Sequence, residues 1–299
     1  MSDFKCHFCD VCNGTGCIGE MPGMGGPNNS ANFILNYDAW DEVKRIPEEP
    51  IPVRIRLSPM TGGEQNVGYD DERQFYFDLI DSCDEAGVEL SKGDGCPDEK
   101  LLLGIEAVKQ RRTVHPELKT AVFIKPYPDE KILERSEWAS PVAECIGIDI
   151  DSYNIVTMRN LVHLERKTVS QLNDIKRYLN SKGFPFAIKG IFTQADLEIV
   201  KEVHPDIAYI SNHGGRVETR KGSTARFLAT YSDELRSNSG ELWVDGGIRS
   251  AEQVQTAASY GASTVLLGRP FATAICRDKE NEIKKIMKNL CTWKTENAF

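Results

Sequence analysis

Eight short apolar runs, spaced along the chain with helix-like stretches among them, constrain the fold more than any other feature. They fall at 53–57, 87–90, 121–124, 145–148, 186–188, 207–210, 241–244 and 264–267. Amphipathic stretches lie between them, at 70–86, 97–110, 168–181, 194–203 and 250–260. Strands alternating with helices signal a parallel sheet. Eight units in about 250 residues match a closed α/β (β/α)8 TIM barrel. An open doubly wound sheet would have fewer strands and a glycine-rich G-x-G-x-x-G turn after the first one, and no such turn follows Leu57. Polar or glycine-rich residues collect where every strand should end: Pro59-Met60-Thr61, Gly93-Asp94-Gly95, Lys125-Pro126-Tyr127, Asp149 with Asp151, Lys189-Gly190, Ser211-Asn212-His213, Asp245-Gly246-Gly247 and Gly268-Arg269. Barrel enzymes build their active sites from these C-terminal loops.

Composition narrows the function classes. Of 299 residues, 40% are apolar and 27% charged, the balance of a globular chain with a large core. No apolar run approaches the roughly 20 residues that cross a bilayer, so no membrane association is expected. The net charge of −9 disfavours nucleic acid as a partner. The first residues lack the apolar stretch of a secretion signal, and a cytoplasmic location is the expectation.

The first 52 residues read as a cysteine-rich N-terminal extension ahead of a barrel domain at 53–299. They hold too few apolar residues for a core of their own. A short helix is expected at 38–45, followed by a proline-rich extended stretch. Four of the nine cysteines, Cys6, Cys9, Cys12 and Cys17, crowd this extension. Four thiolates so close suit tetrahedral zinc, and the C-x-x-C-x-x-C core is also compatible with an iron–sulfur cluster. The bland alternative is a set of reduced thiols in a tail. The scattered Cys83, Cys96, Cys145, Cys276 and Cys291 read as small apolar residues.

Two loops near the C-terminus suit an anion. Asp245-Gly246-Gly247-Ile248-Arg249 follows the seventh run and Gly268-Arg269-Pro270 the eighth. Glycines let backbone N–H groups approach a phosphate, arginines add bidentate donors, and barrels often bind phosphate between these two strands. In Ser211-Asn212-His213-Gly214-Gly215-Arg216 a histidine able to take a proton near neutral pH stands three residues before an arginine suited to clamp a carboxylate. The other histidines are weaker bases by context: His7 among the cysteines, His115 and His204 before prolines, His163 in an irregular stretch. Base and clamp on one loop suit a small carboxylic acid.

With these segments in view, the chain resembles the FMN-dependent α-hydroxy-acid oxidase and dehydrogenase family. Phe186 to Ile191 with Thr193, Ser211 to Arg216, Asp245 to Arg249, and Gly268-Arg269-Pro270 carry the likeness. It is dense from 184 to 274 and thinner from 57 to 156. The resemblance implies FMN as cofactor and a small 2-hydroxy acid as substrate. It implies that Lys189 lies beside the flavin N1–C2=O edge, that His213 takes the substrate proton, and that Arg216 holds its carboxylate. Asp151 would orient the histidine, although Asp149, standing where the family usually has threonine, could face the same way. Tyr127 would hydrogen-bond substrate. Pro59, Met60, Thr61 and Ser211 would line the flavin, with Lys125 replacing the usual glutamine. Gly247, Arg249, Gly268 and Arg269 would hold the phosphate and Asp245 the ribityl hydroxyls. A homo-oligomer is expected on the same ground. The family's early active-site tyrosine has no evident counterpart, and residues 217–240 depart from the family pattern.

The leading expectation is therefore an FMN enzyme oxidising a small L-2-hydroxy acid to the 2-oxo acid. The alternatives are an FMN barrel with isomerase or reductase chemistry, or a metal- or redox-sensing flavoprotein using the N-terminal thiols.

Overall fold

The computed structural model describes residues 31–155, 158, 160–217, 220–278 and 281–292. Eight parallel strands form the expected barrel: β1 (Arg54–Leu57), β2 (Leu90–Gly93), β3 (Thr120–Ile124), β4 (Ala143–Asp149), β5 (Phe186–Ile191), β6 (Ile207–Ile210), β7 (Glu241–Asp245) and β8 (Thr264–Leu267). Each pairs with its sequence neighbour from β2 through β8, and β8 returns to β1. The β1–β2 seam is closed by a bridge between Arg56 and Glu89, with Leu57 N donating to the Glu89 carbonyl at 2.8 Å and Glu89 N to the Ile55 carbonyl at 3.1 Å.

The described helices are α1 (Ala31–Glu42), α2 (Gly63–Val67), α3 (Glu72–Glu85), α4 (Glu99–Arg111), α5 (Asp129–Ala139), α6 (Val169–Ser181), α7 (Gln194–Val203), α8 (Thr224–Ser237), α9 (Ala251–Ser259), α10 (Arg269–Asp278) and α11 (Glu282–Cys291). Local chemistry fixes several starts. Thr168 and Thr193 form capping boxes with Gln171 and Asp196, and Ser223 and Ser250 accept from the backbone three residues on. Among the described residues no helix is long and apolar enough to cross a membrane.

Strands buried on both faces read as apolar runs because helices cover the outside while side chains fill the inside. Inside, Phe123 meets Tyr209 and Trp243 edge-on at centroid distances of 5.3 and 6.3 Å. The Arg56 guanidinium lies 4.8 Å over Trp243 and donates to the Leu90 carbonyl at 2.5 Å. Every second residue on a strand shares a face. Stepping on from this interior layer (Phe123, Ala187, Tyr209, Trp243) brings Lys125, Lys189, Ser211 and Asp245 to the C-terminal mouth. The order of sequence has thus already assembled a polar layer on top of an aromatic one.

Two elements differ from expectation. The second strand is Leu90–Gly93 rather than 87–90. Its Ser91 and Lys92 are buried, and polar residues hide a strand from hydropathy. Lys92 lies in the helix layer with its nitrogen 3.4 Å from the Tyr76 ring centroid, and burial pushes its amine well below the usual range. The N-terminal helix is Ala31–Glu42 rather than 38–45. It buries Asn32, Asn36, Ala39 and Trp40 against the barrel.

Candidate active site

A cavity of about 200 Å³ opens at the C-terminal mouth of the barrel. Most residues expected at the site line it: Pro59, Met60, Thr61, Lys125, Lys189, His213, Arg216, Asp245, Gly247, Arg249, Gly268 and Arg269. They arrive from six different strand ends, so the cavity exists only once the barrel has closed.

At its centre is an alternating chain of charges. Asp149, 2% exposed at the end of β4, accepts from Lys125 through one oxygen and from Lys189 through the other, both at 2.7 Å. Burial alone would raise its carboxyl, but the Lys125 and Lys189 ammoniums outweigh that and hold it well below the usual range. For Lys189 the balance is similar. Desolvation favours the neutral amine, yet Asp149, Asp151 and Asp245 keep it above its ordinary value and cationic. His213 is held from two sides. Its Nδ1 lies 2.7 Å from Asp151 Oδ2, and its Nε2 lies 3.0 Å from Lys125 Nζ and 3.5 Å from Asp149 Oδ2.

The geometry therefore separates the two aspartates. Asp151 is the partner of the imidazole, while Asp149 anchors the lysines. Strand alternation would have put both on one face, but β4 ends at Asp149 and a 3₁₀ turn, Ile150–Asn154, carries Asp151 onward. Gly190 makes the approach possible: a Cβ there would stand 2.4 Å from Asp151 Cγ and Oδ1, and its φ is +96°. The Lys-Gly pair in the sequence thus serves two tasks, one ammonium and one gap. Asp149, Asp151 and His213 are also close enough to share a cation. The two ammoniums already compensating Asp149 make the cluster a poor metal site.

Four expected residues do not line the cavity: Asp149 and Asp151 stand behind Lys125, Lys189 and His213, and Tyr127 and Ser211 sit elsewhere. Tyr127 is 1% exposed and does not line the cavity. Its ring packs under Arg135, whose guanidinium carbon is 4.5 Å from the centroid, and its hydroxyl donates to the Gly95 carbonyl at 3.4 Å. A substrate-binding role is not supported by this placement; a buried cation–π stack outcompetes the mouth. Ser211 is fully buried and acts on the site through Asp245, donating to Oδ2 at 3.1 Å beside Tyr209 at 2.7 Å. Cys6, Cys9, Cys12 and Cys17 lie outside the described residues.

Several lining residues were not expected. Helix α1 brings Phe33, Asn36 and Tyr37 to the cavity. Phe33 lies 3.9 Å under the Arg269 guanidinium carbon. Asn36 exchanges hydrogen bonds with Asn212 at 2.7 and 3.0 Å, and Trp40 Nε1 donates to the Gly246 carbonyl at 2.8 Å. The buried positions 32, 36, 39 and 40 have helical spacing, but two of them are asparagines, so hydropathy gave no stripe to find. Lys100, Cys96 and Asp94 line the opposite wall. Ile155, Met158 and Leu161 add an apolar edge.

The mouth can hold a phosphorylated, hydroxylated ligand. Arg249 and Arg269 flank the Gly246-Gly247 turn and Gly268. Burial lowers the Arg249 guanidinium to about 10, which still leaves a cation at neutral pH. Asp245 Oδ2 is engaged, whereas its buried Oδ1 has no hydrogen-bond partner. An acceptor left over in a cavity wall suits a ligand hydroxyl. These residues fit FMN: arginines and glycines for the phosphate, Asp245 for the ribityl chain, and Lys189 for the electron-rich edge of the ring.

The result is a parallel eight-stranded barrel with glycine and arginine loops after its last two strands, and a carboxylate-held imidazole lining the same cavity as an arginine. A sequence profile described as FMN-dependent dehydrogenase matches residues 106–292, and the chain belongs to that family. A 2-hydroxyacid oxidase of Dictyostelium discoideum is 31% identical over 118 residues, which is 40% of this chain and 30% of that protein. An L-lactate dehydrogenase of Caulobacter vibrioides is 31% identical over 117 residues, 39% of this chain and 30% of that protein. The matches thus span about a third of the length of these relatives. Among solved structures, the flavin-binding domain of baker's yeast flavocytochrome b2 superposes with a TM-score of 0.65 at 16% identity, over 88% of this chain and 74% of that one. Mandelate oxidase with benzoyl-formic acid gives 0.62 at 18%, over 87% and 82%. At such identities these two likenesses speak for the fold.

Proposed function

We propose that the protein is an FMN-dependent oxidoreductase that converts a small L-2-hydroxy acid to the 2-oxo acid. The observation that carries this reading is the Asp151–His213 contact of 2.7 Å in one cavity with Arg216 and Lys189. Relatives described as 2-hydroxyacid oxidase and L-lactate dehydrogenase lend the substrate class.

The residues divide the work. Arg216 binds the substrate carboxylate; burial lowers its guanidinium somewhat, and the site recovers that cost when an anion arrives. His213 Nε2 takes a substrate proton, and Asp151 stabilises the imidazolium that results. FMN, when bound, would accept the two electrons together with the remaining hydrogen of the substrate, so that this hydrogen and the proton on His213 balance the oxidation. Lys189 sets a fixed positive charge where negative charge grows during reduction. Ile155, Met158 and Leu161 favour a hydrocarbon side chain on the substrate over a second carboxylate.

The test is anaerobic bleaching of the yellow protein with a panel of lactate, glycolate, mandelate and longer L-2-hydroxy acids. At least one should reduce the flavin. Bleaching should vanish in His213→Gln and require far more substrate in Arg216→Met. A panel that never reduces the flavin defeats the proposal.

For the N-terminal thiols, the spacing Cys6-x2-Cys9-x2-Cys12-x4-Cys17 supports a metal site, with zinc ahead of an iron–sulfur cluster because no proline follows Cys17. Metal analysis of anaerobically purified protein should find metal that Cys9→Ser loses. Metal-free protein with fully reactive thiols removes the site.

A further inference from the structure

The sequence departs from the family pattern twice within this site, with Lys125 where glutamine is usual and Asp149 where threonine is usual. The structure joins the two departures. Lys125 Nζ lies 2.7 Å from Asp149 Oδ2 and 3.0 Å from His213 Nε2, and all three side chains are largely buried. Two neutral positions have become an ion pair, and that pair reaches the nitrogen assigned above to proton abstraction.

An ammonium has three donors and no lone pair, so the nitrogen facing it must be the acceptor. His213 Nε2 therefore carries the lone pair, and Nδ1 carries the proton and donates it to Asp151. The tautomer is fixed from both sides. The charged groups sharing this space are Asp149 at the end of β4 and Asp151 after it, Lys189 from β5, Asp245 from β7, and Arg216 on the histidine's own loop. Helix α1 packs on that loop and brings Asn36 and the phenol Tyr37.

We propose that Lys125, held by Asp149, is a positioning residue for His213: it fixes the tautomer that presents the Nε2 lone pair to substrate. The inference rests on the reading of His213 as the base. Lys125 donates to the ring until substrate arrives, then retains Asp149 as its partner while the substrate proton moves to Nε2. Once that proton has moved, the like charge of Lys125 favours its release, which readies the base for another turnover.

The test uses the flavin-loaded protein with ¹⁵N-labelled histidine, His213→Gln supplying the assignment. In the wild type, Nε2 should give the signal of an unprotonated nitrogen and Nδ1 that of a protonated one. In Lys125→Gln, whose amide can accept as well as donate, the Nε2 signal should move toward that of a protonated nitrogen. Lys125→Arg keeps the charge and should stay near the wild type, which separates charge from misfolding. In Lys125→Gln kcat should fall with the change of tautomer, with KM little changed. Ring nitrogen signals that do not change in Lys125→Gln, or a wild-type Nδ1 without a proton, overturn the proposal. Nitrogen signals that change while kcat stays in place uphold the Lys125–His213 link and refute His213 as the base.

Discussion

Replacing Gly247 by alanine tests whether α1 and the phosphate loop are a single unit. Gly247 has φ +82°, and a Cβ there would stand 1.9 Å from the Asn36 carbonyl oxygen and 2.4 Å from its carbon. Left-handed backbone costs a non-glycine residue about 1–2 kcal/mol. The clash adds to this, since α1 would have to retreat by more than an ångström. That retreat would strain the Asn36–Asn212 pair and the Trp40 bond to Gly246, each worth about 1 kcal/mol, for a total loss of about 3–4 kcal/mol. At about 2–3 °C per kcal/mol for a chain of this size, the Tm should fall by roughly 6–12 °C. Gly183→Ala is the control: φ is +85° there and nothing lies within 4 Å of its Cβ, so only the backbone cost applies. FMN affinity should fall in the first variant and stay unchanged in the second. Equal melting shifts in the two variants, with FMN binding intact in both, would refute the coupling of helix and loop.

Three other perturbations probe the same architecture. Asp149→Asn leaves two buried ammoniums without their carboxylate, and breaking such a pair should cost about 3–5 kcal/mol by chemical denaturation; a loss under about 1 kcal/mol would mean the lysines find other partners. Gly190→Ala should displace Asp151 and cut the rate of flavin reduction by at least about tenfold, in line with loss of general-base catalysis, while leaving the oxidised flavin bound; an unchanged rate would show that Asp151 does not support the base. Asp94 is pushed up to about 6, because burial outweighs its 2.5 Å pairing with Arg135. Its folded-state value lies above the unfolded one, so its contribution to stability is present in full below about pH 4 and is lost as pH rises through about 6. The Tm advantage of wild type over Asp94→Asn should shrink across that window, and a difference that is flat or grows contradicts the assignment.

The barrel itself was legible in the chain. Parallel strands buried on both faces are mostly apolar, so seven of the eight announced themselves within a few residues, and β2 was offset because it buries Ser91 and Lys92. The mouth loops were equally visible, since the glycines and arginines that follow the last two apolar runs line the cavity in the structure. Helix α1 was partly hidden, because asparagines at 32 and 36 bury their amides by hydrogen bonding rather than by hydrophobicity.

What the order of residues determined by itself was the strand count, the layer in which each mouth residue falls, and the chemical inventory of the site: one imidazole, several arginines and lysines, and more than one carboxylate. Period-two alternation and helix caps act between near neighbours, and that information is local. Tertiary structure alone decided which carboxylate meets the histidine across 62 positions, that Asn36 reaches Asn212 across 176, and that Tyr127 stacks on Arg135 instead of facing the cavity. Those choices depend on competition among buried partners for a few hydrogen-bonding atoms, and the competition begins only when barrel closure brings distant strand ends within reach.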